Sequence, residues 1–565
     1  MRNPLLAAAL LLAATHLAPA QTQPTKVKVK SKPGRAAKIP TPPAAAEATT
    51  DWSLTYASTI TQEDLRQHLS VLASDEYEGR ETGQKGQKMA AEYLSKQFAE
   101  LGLAGPVKDS DNPYIQHFTL SRVGLDPASS VKIGNRTFVV DKDFYLLLRD
   151  ASTTSATVQP AFVGYGISTK GYADFATGAA NLKDQHLVML LGEPLTKTGQ
   201  PLLGKAGQPS SYGTGGVAEM TARSPAVRSL APRSTFRIAS SAAAFAQVPQ
   251  DYKGLFDRTE QLIFPDEPVP KSSNISTNLF IVSPEMGAAM LGTTTAGLVK
   301  YQKAVAAAGK PIASPFKPVA LTLQAANKRE TFTTENVLGY LEGTDKKDEV
   351  LVISAHYDHE GIKNGVVYNG ADDDGSGTVS VLEMAQAFAQ AKKEGHGPRR
   401  SILFLANTGE EEGLLGSKYY TDHPVFPLES TVADLNIDMV GRVDSTHMGK
   451  GDYLYLVGSD KLSSELHALS EATNTRYNPV ALDYKYNDPA DPEHIYYRSD
   501  HYNFAKHKVP VIFYTSGLHP DYHRPTDDID KIDFPALTRR NQLIFHTAWE
   551  LANRDNRVVV DSNKP

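Results

Sequence analysis

Apolar positions in this chain recur with two periods, and their alternation predicts its architecture. From Glu335 onward, short and almost wholly apolar runs alternate with stretches in which apolar residues return every three or four positions. The runs Val337 to Leu341, Val350 to Ser354, Ser401 to Ala406, Val432 to Ile437, Tyr453 to Val457 and Val509 to Tyr514 have the length and β-branched content of buried strands. Thr378 to Lys392, with Val379, Leu382, Ala385 and Ala389 on one face, reads as a helix, as do Leu414 to Thr421, Lys461 to Thr473 and Pro535 to Asn553. The alternation predicts an α/β fold, a mostly parallel central sheet flanked by helices. Loops that follow parallel strands converge on one edge, where such sheets bind ligands.

The earlier part of the chain has a different rhythm. Thr61-Gln62-Glu63-Asp64 has the capping residue and first-turn acids of a helix start, with Leu65, Leu69 and Leu72 following at helical spacing. A second helix carries Ala90, Leu94, Phe98 and Leu101 and stops at Gly102, and Gly79 to Gly83 is a turn-rich link between them. From about Gln116 to Leu148 apolar and polar residues alternate, as strands require. Ala151 to Ser314 is rich in Gly, Ser and Ala and holds short strand candidates at Ala161 to Tyr165, His186 to Leu191 and Leu279 to Val282. It is expected to be an inserted, mainly β domain without chemistry of its own, with Gly204 to Ser241 as a surface loop.

The domain plan is therefore a signal peptide at 1–20, a disordered linker at 21–50, the first part of the catalytic domain at 51–150, the insert at 151–314, and the rest of the catalytic domain at 315–565. Met1 to Ala20 has one Arg, an apolar stretch from Leu5 to Ala14 and Ala18-Pro19-Ala20 as a cleavage site. That apolar stretch is far short of the roughly 20 residues of a membrane span. The expectation is an exported protein, periplasmic or extracellular, with no membrane span. Lys, Pro and Ala dominate Gln21 to Thr50, which holds six bases and one acid. The chain as a whole has 58 Lys and Arg against 64 Asp and Glu, so the portion after the linker is about twelve charges negative. Nucleic acid is thereby disfavoured as a partner. With no cysteine in the chain, disulfides, thiolate ligands and a cysteine nucleophile are excluded together.

The candidate chemistry lies just beyond the predicted strands. His356 and Asp358 follow the second run; Asp372-Asp373-Asp374 precede the long helix; Glu410-Glu411-Glu412 follow the next run; Asp438 and His523 come from later loops. Each cluster has an ordinary alternative. The Asp triplet could cap a helix, and the Glu triplet could be a solvated helix start. Their shared position argues against that, since independent surface acids would not all fall at strand ends. Imidazole and carboxylate without sulfur suit zinc or a similar divalent ion. Two His and three carboxylates exceed one tetrahedral catalytic site, so two metals sharing a carboxylate fit better. No Gly-x-Ser-x-Gly elbow and no His-Glu-x-x-His motif occurs.

These motifs, with Gly370-Ala371 and Gly413-Leu414-Leu415-Gly416-Ser417 flanking them, resemble the M28 family of zinc peptidases over about Thr61 to Gly102 and Glu335 to Leu551. Val163 to Ile167 and Ile281 to Glu285 are similar in placement to the protease-associated insert of many members. The resemblance implies one zinc on His356 and Asp438, a second on Glu411 and His523, and Asp373 bridging them. It implies Glu410 as general base and Asp358 as the acceptor that fixes the His356 ring. The implied function is a secreted zinc exopeptidase acting on peptide or protein substrates, most simply an aminopeptidase. A carboxypeptidase, a glutaminyl cyclase of the same fold and a catalytically silent binding ectodomain are the alternatives. Tyr496-Tyr497-Arg498-Ser499-Asp500-His501 resembles a block that packs near the site, where Arg498 is either a substrate contact or part of a structural ion pair.

Overall fold

The computed structural model describes residues 50–148, 154–176, 179–205, 207–252, 260–268, 278–325, 327–477 and 479–562. The expected signal peptide, and the expected linker except Thr50, lie outside the described residues. A nine-stranded sheet organises the rest. Its strands are β1 (Ile115–Leu125), β2 (Gln261–Ile263), β3 (Asn327–Leu341), β4 (Lys346–His356), β5 (Arg400–Asn407), β6 (Thr431–Ile437), β7 (Tyr453–Val457), β8 (Ala481–Asp483) and β9 (Val511–Thr515). In space they run β2-β1-β3-β5-β4-β6-β9-β7-β8. The central four, β5, β4, β6 and β9, are parallel, with Ile353 between Phe404 and Leu435. Antiparallel pairings of β1, β2 and β3 extend one side, and β7 pairs antiparallel with β9 on the other.

Both faces of the central strands are buried, which explains their uninterrupted apolar sequence. Leu351, Ile353, Ile402 and Phe404 point into one core, while Val350, Val352, Leu403 and Leu405 point into another on the opposite face. Among the described residues eight α-helices belong to this part: α1 (Trp52–Ala57), α2 (Gln62–Leu72), α3 (Lys85–Glu100), α4 (Gly377–Lys393), α5 (Leu415–Asp422), α6 (Ser464–Arg476), α7 (His501–Lys506) and α8 (Phe534–Asn553). Thr61 caps α2 as its sequence predicts, its Oγ1 accepting the Asp64 N–H. Helix α4 departs from its predicted single apolar face. Val379, Val381, Leu382, Met384, Ala385, Ala387, Phe388 and Ala391 are all buried, because α1, α2, α3 and α8 cover the sides that the sheet leaves free.

The insert grows out of one hairpin. β1 and β3 pair continuously from Ile115 opposite Val337 to Leu125 opposite Asn327, so the chain leaves this hairpin at one rung and returns at the same rung, revisiting the central sheet in between only where β2 pairs with β1. Between them lie a five-stranded sheet built from Phe144–Leu148, Pro160–Phe162, His186–Leu190, Ser234–Ile238 and Asn278–Val282, and a four-stranded one. Their apolar cluster begins at Val131 and ends at Leu323. The stretch expected as a surface loop, Gly204 to Ser241, instead contains a helix, Gly216–Arg228, and the strand Ser234–Ile238 at the centre of the five-stranded sheet. Phe236 and Ile238 are fully buried there, an apolar pair that the surrounding small and polar residues obscured. No described helix is long and apolar enough to cross a membrane.

Candidate metal centre

Strand β4 ends on His356 and β6 ends one residue before Asp438, so two parallel strands deliver these side chains to one sheet edge. The segment after β5 brings Glu410 and Glu411, the turn Ala371–Ser376 brings the three Asp, and the loop after β9 brings His523. The Asp triplet divides its work. Asp372 accepts N–H bonds from Gly441 and Asp374 accepts them from Gly377 and Met439, so these two tie the turn to α4 and to the segment after β6. Asp373 faces the imidazoles, with Oδ1 3.3 Å from His356 Nε2 and Oδ2 3.1 Å from His523 Nε2.

All six predicted side chains around the centre meet here. His356 Nε2 is 3.8 Å from Asp438 Oδ2 and 3.9 Å from Glu410 Oε2. His523 Nε2 is 2.9 Å from Glu411 Oε2. Two groups of donors thus lie back to back, and each faces one oxygen of Asp373. Ligand atoms on a tetrahedral ion with bonds of about 2.1 Å stand roughly 3.4 Å apart, which matches these separations. His356 Nε2, Asp373 Oδ2 and Glu411 Oε1 are buried and have no hydrogen-bond partner. Buried polar atoms are seldom left so, and several such atoms facing one another fit a divalent cation between them.

The charges reinforce one another. Burial alone would push the His356 imidazole down, but Glu410, Asp358, Asp373 and Asp438 hold it well above its usual range. For Asp373 the cost of burial is outweighed by His356 and His523, which keep it well below the usual carboxylate value. Burial and the Asp373 charge raise Glu411, yet His523 and His359 hold it at about 2. Glu410 goes the other way. Its burial, together with the charges of Asp438, Glu411 and Asp500, outweighs His356 and lifts it well above an ordinary glutamate. A carboxylate raised in this manner is suited to taking up and releasing a proton.

Asp358 acts on His356 in a way that differs from expectation. His356 Nδ1 lies 3.1 Å from the main-chain carbonyl of Asp358 and 3.6 Å from its carboxylate. The carboxylate is engaged elsewhere, accepting from Thr82 Oγ1 at 2.9 Å and from the Glu410 N–H at 3.3 Å. It therefore joins the His356 loop to the Glu410 loop. A carbonyl acceptor orients an imidazole as well as a carboxylate does.

Several contributors escaped the sequence reading. Arg80, in the link read as a mere turn, is 1% exposed and donates to the carbonyls of Leu72, Tyr357, Asn369 and Gly370. It clamps the two loops that carry His356 and Asp373. Ser499 donates to Asp438 Oδ2 at 2.6 Å and accepts from Asn436 Nδ2, fixing that carboxylate. Asp527 accepts the N–H groups of Asp372 and Asp373. His359 and Glu360 also reach the centre, His359 Nδ1 being 2.7 Å from Glu411 Oε1 and Glu360 Oε1 being 3.2 Å from His523 Nδ1. Only the proximity of His359 to the His356-x-Asp358 motif hinted at this. Beside Glu410 a cavity is lined by Met439, Tyr486, Ile495, Phe513 and Leu518, with Arg498 and Tyr522. Arg498 Nη2 donates to Tyr522 Oη at 3.1 Å.

A sheet edge that presents two His and several carboxylates around a shared Asp has the residue types and spacing that could hold divalent metal. Residues 336–548 match the model of peptidase family M28. Among curated relatives, aminopeptidase YwaD of Bacillus subtilis is 27% identical over 232 residues, 40% of this chain and 46% of that protein. A probable leucine aminopeptidase of Arthroderma otae is 30% identical over 214 residues, 37% of this chain and 55% of that protein. The chain thus spans about half the length of the curated relatives it matches. Among solved structures, a zinc aminopeptidase from Bacillus subtilis aligns with 90% of this chain and 99% of its own at 18% identity, with a TM-score of 0.47.

Proposed function

We propose that this protein is a metal-dependent exopeptidase, an aminopeptidase that holds two zinc ions and removes N-terminal residues from peptides or proteins. The observation that carries the reading is Asp373, whose two oxygens face two separate groups of donors. His356 and Asp438 would hold one ion, Glu411 and His523 the other, and Asp373 both. Bound zinc would lower the pKa of a coordinated water and polarise the scissile carbonyl. Glu410, beside the cavity and raised in pKa, takes the proton of the attacking water and returns it to the leaving amine. Ser499 and the Asp358 carbonyl keep Asp438 and His356 in place, and the apolar cavity wall receives the side chain next to the scissile bond. Aminopeptidase action agrees with the names of the curated relatives. One observation favours a carboxypeptidase instead, the Arg498 guanidinium in the same cavity, which could pair with a terminal carboxylate.

The N-terminal pattern of Met1 to Ala20 supports export, and the hairpin-borne unit between Leu125 and Asn327 supports a protease-associated insert. The test uses metal-stripped full-length protein reloaded with zinc. Uptake of two ions per chain, hydrolysis of substrates with a free N-terminus, and a fall in kcat of about a thousandfold in Glu410→Gln are expected. Hydrolysis that requires a free C-terminus and tolerates a blocked N-terminus would turn the reading to a carboxypeptidase. Normal turnover by Glu410→Gln would remove the assigned base.

A further inference from the structure

The two donor groups are unequal, and the inequality comes from His359. Its side chain is fully buried, and neither ring nitrogen has a hydrogen-bond partner among the described residues. Burying an imidazole without any partner is costly, so the ring is held for something the protein atoms do not supply. Nδ1 lies 2.7 Å from Glu411 Oε1 and 3.8 Å from Asp373 Oδ2, the two carboxylates that also face His523. Although 2.7 Å is a hydrogen-bond length, neither Nδ1 nor Glu411 Oε1 makes a hydrogen bond of acceptable geometry, and with Asp373 the two atoms form one group that could hold a metal ion. A ring nitrogen this close to two carboxylates, with no hydrogen bond of its own, is placed as ligands sharing one cation are.

The backbone is arranged around this ring. Gly370, at φ +55°, would place a Cβ only 2.4 Å from His359 Cγ. A glycine at the start of the Asp-rich turn therefore makes the space in which the imidazole reaches Asp373 and Glu411. His523 packs against the ring edge-on, with centroids 5.9 Å apart.

We infer that His359 is a further protein ligand, binding through Nδ1 the ion on the Glu411 and His523 side. The inference rests on the two-metal reading above. That ion would then have four protein ligands, His359, His523, Glu411 and Asp373, which fills a tetrahedral zinc site. The other would have three, His356, Asp438 and Asp373, and would keep a position for water or substrate. Glu410 lies on this open side, where a proton acceptor for water is needed. The first ion becomes the tighter, organising one and the second the exchangeable, reactive one.

The experiment titrates metal-stripped full-length protein with zinc against a chelating indicator, and with cobalt, read by its visible absorption. The wild type is expected to bind two ions in two resolved steps. His359→Ala and His359→Asn should both weaken the tighter step by about 100-fold or more, beyond the 10- to 100-fold typical of residues that merely hold a ligand. Both should change the cobalt spectrum of that step and leave the weaker step alone, which also reports that the variants are folded. Gly370→Ala should weaken the same step with His359 intact. Wild-type affinity and spectrum in His359→Asn, which keeps a donor but loses an imidazole ligand, would overturn the inference, as would an unaltered tighter step in His359→Ala. Fewer than two ions on the wild type would instead refute the two-metal reading itself.

Discussion

Arg223 of the insert and the strand-end side chains of the central sheet bury charge in opposite ways. In the insert, Arg223 is fully buried and satisfied by the chain, donating to Glu219 and to the carbonyls of Tyr165, Gly192 and Tyr212. At the strand ends of the central sheet, His356, His359, Asp373 and Glu411 keep buried atoms without partners. A satisfied buried pair specifies structure; converging unsatisfied donors mark a place for a ligand. Arg237 of the insert also keeps buried nitrogens without a hydrogen-bond partner, so it is the convergence of several such atoms, not one unpaired group, that separates site from scaffold.

The largest effect is expected from breaking the Arg80 clamp beside the candidate site. Arg80→Met removes the donor shared by four carbonyls and should destabilise the central-sheet part by roughly 3–5 kcal/mol. Zinc retention should fall with it, measured by thermal unfolding with and without excess metal. A variant as stable and as metal-loaded as the wild type would show that Arg80 is not the clamp. Arg223→Met is the counterpart in the insert. It should also cost roughly 3–5 kcal/mol on unfolding, yet leave metal stoichiometry unchanged and kcat on a small aminoacyl substrate within about twofold. A matching loss of activity would show that the insert's core and the centre are coupled.

A smaller, pH-dependent effect belongs to Glu383 on α4. Burial, aided by the Asp64 charge, raises its carboxyl to about 8, and burial lowers His68, so their contact at 3.6 Å is between neutral partners near pH 7. The folded state keeps a proton that the unfolded chain releases above about 4.5. Stability contributed by this group is thus complete at acid pH and declines as pH rises towards 8. Glu383→Gln should match the wild type near pH 4 and exceed it by roughly 2–4 kcal/mol at pH 8, read from denaturant unfolding at both values. Equal stability at pH 8 would place the carboxyl in its ordinary range. The smallest effect is expected from deleting Gln21 to Ala48, which spares Asp51, the cap of α1. It should leave kcat and KM unchanged, and a large loss would give the linker a role in the reaction.

Legibility followed the range of the interactions. Strands β4 to β7 and β9 could be read because burial on both faces leaves a continuous apolar run, and helix α4 because its period is local. The Asp373 assignment rests on the family resemblance of its flanking residues, since spacing does not say which of three adjacent acids faces a metal. That choice depends on Gly377, Met439 and Gly441, whose N–H groups engage Asp372 and Asp374. Arg80 is not legible as a clamp, because nothing nearby in sequence reveals a guanidinium whose four acceptors lie at positions 72, 357, 369 and 370.

The sequence by itself determined the α/β alternation, the residue types available for metal ligation and their place beyond strand ends, because each depends on periodicities and motifs a few residues long. Tertiary structure alone decided that Asp373 faces both donor groups, that Asp358 offers His356 a carbonyl, and that His359 enters the centre. Those outcomes depend on distances between segments far apart in the chain, and such distances are set by how the sheet edge and the Gly370 turn pack together.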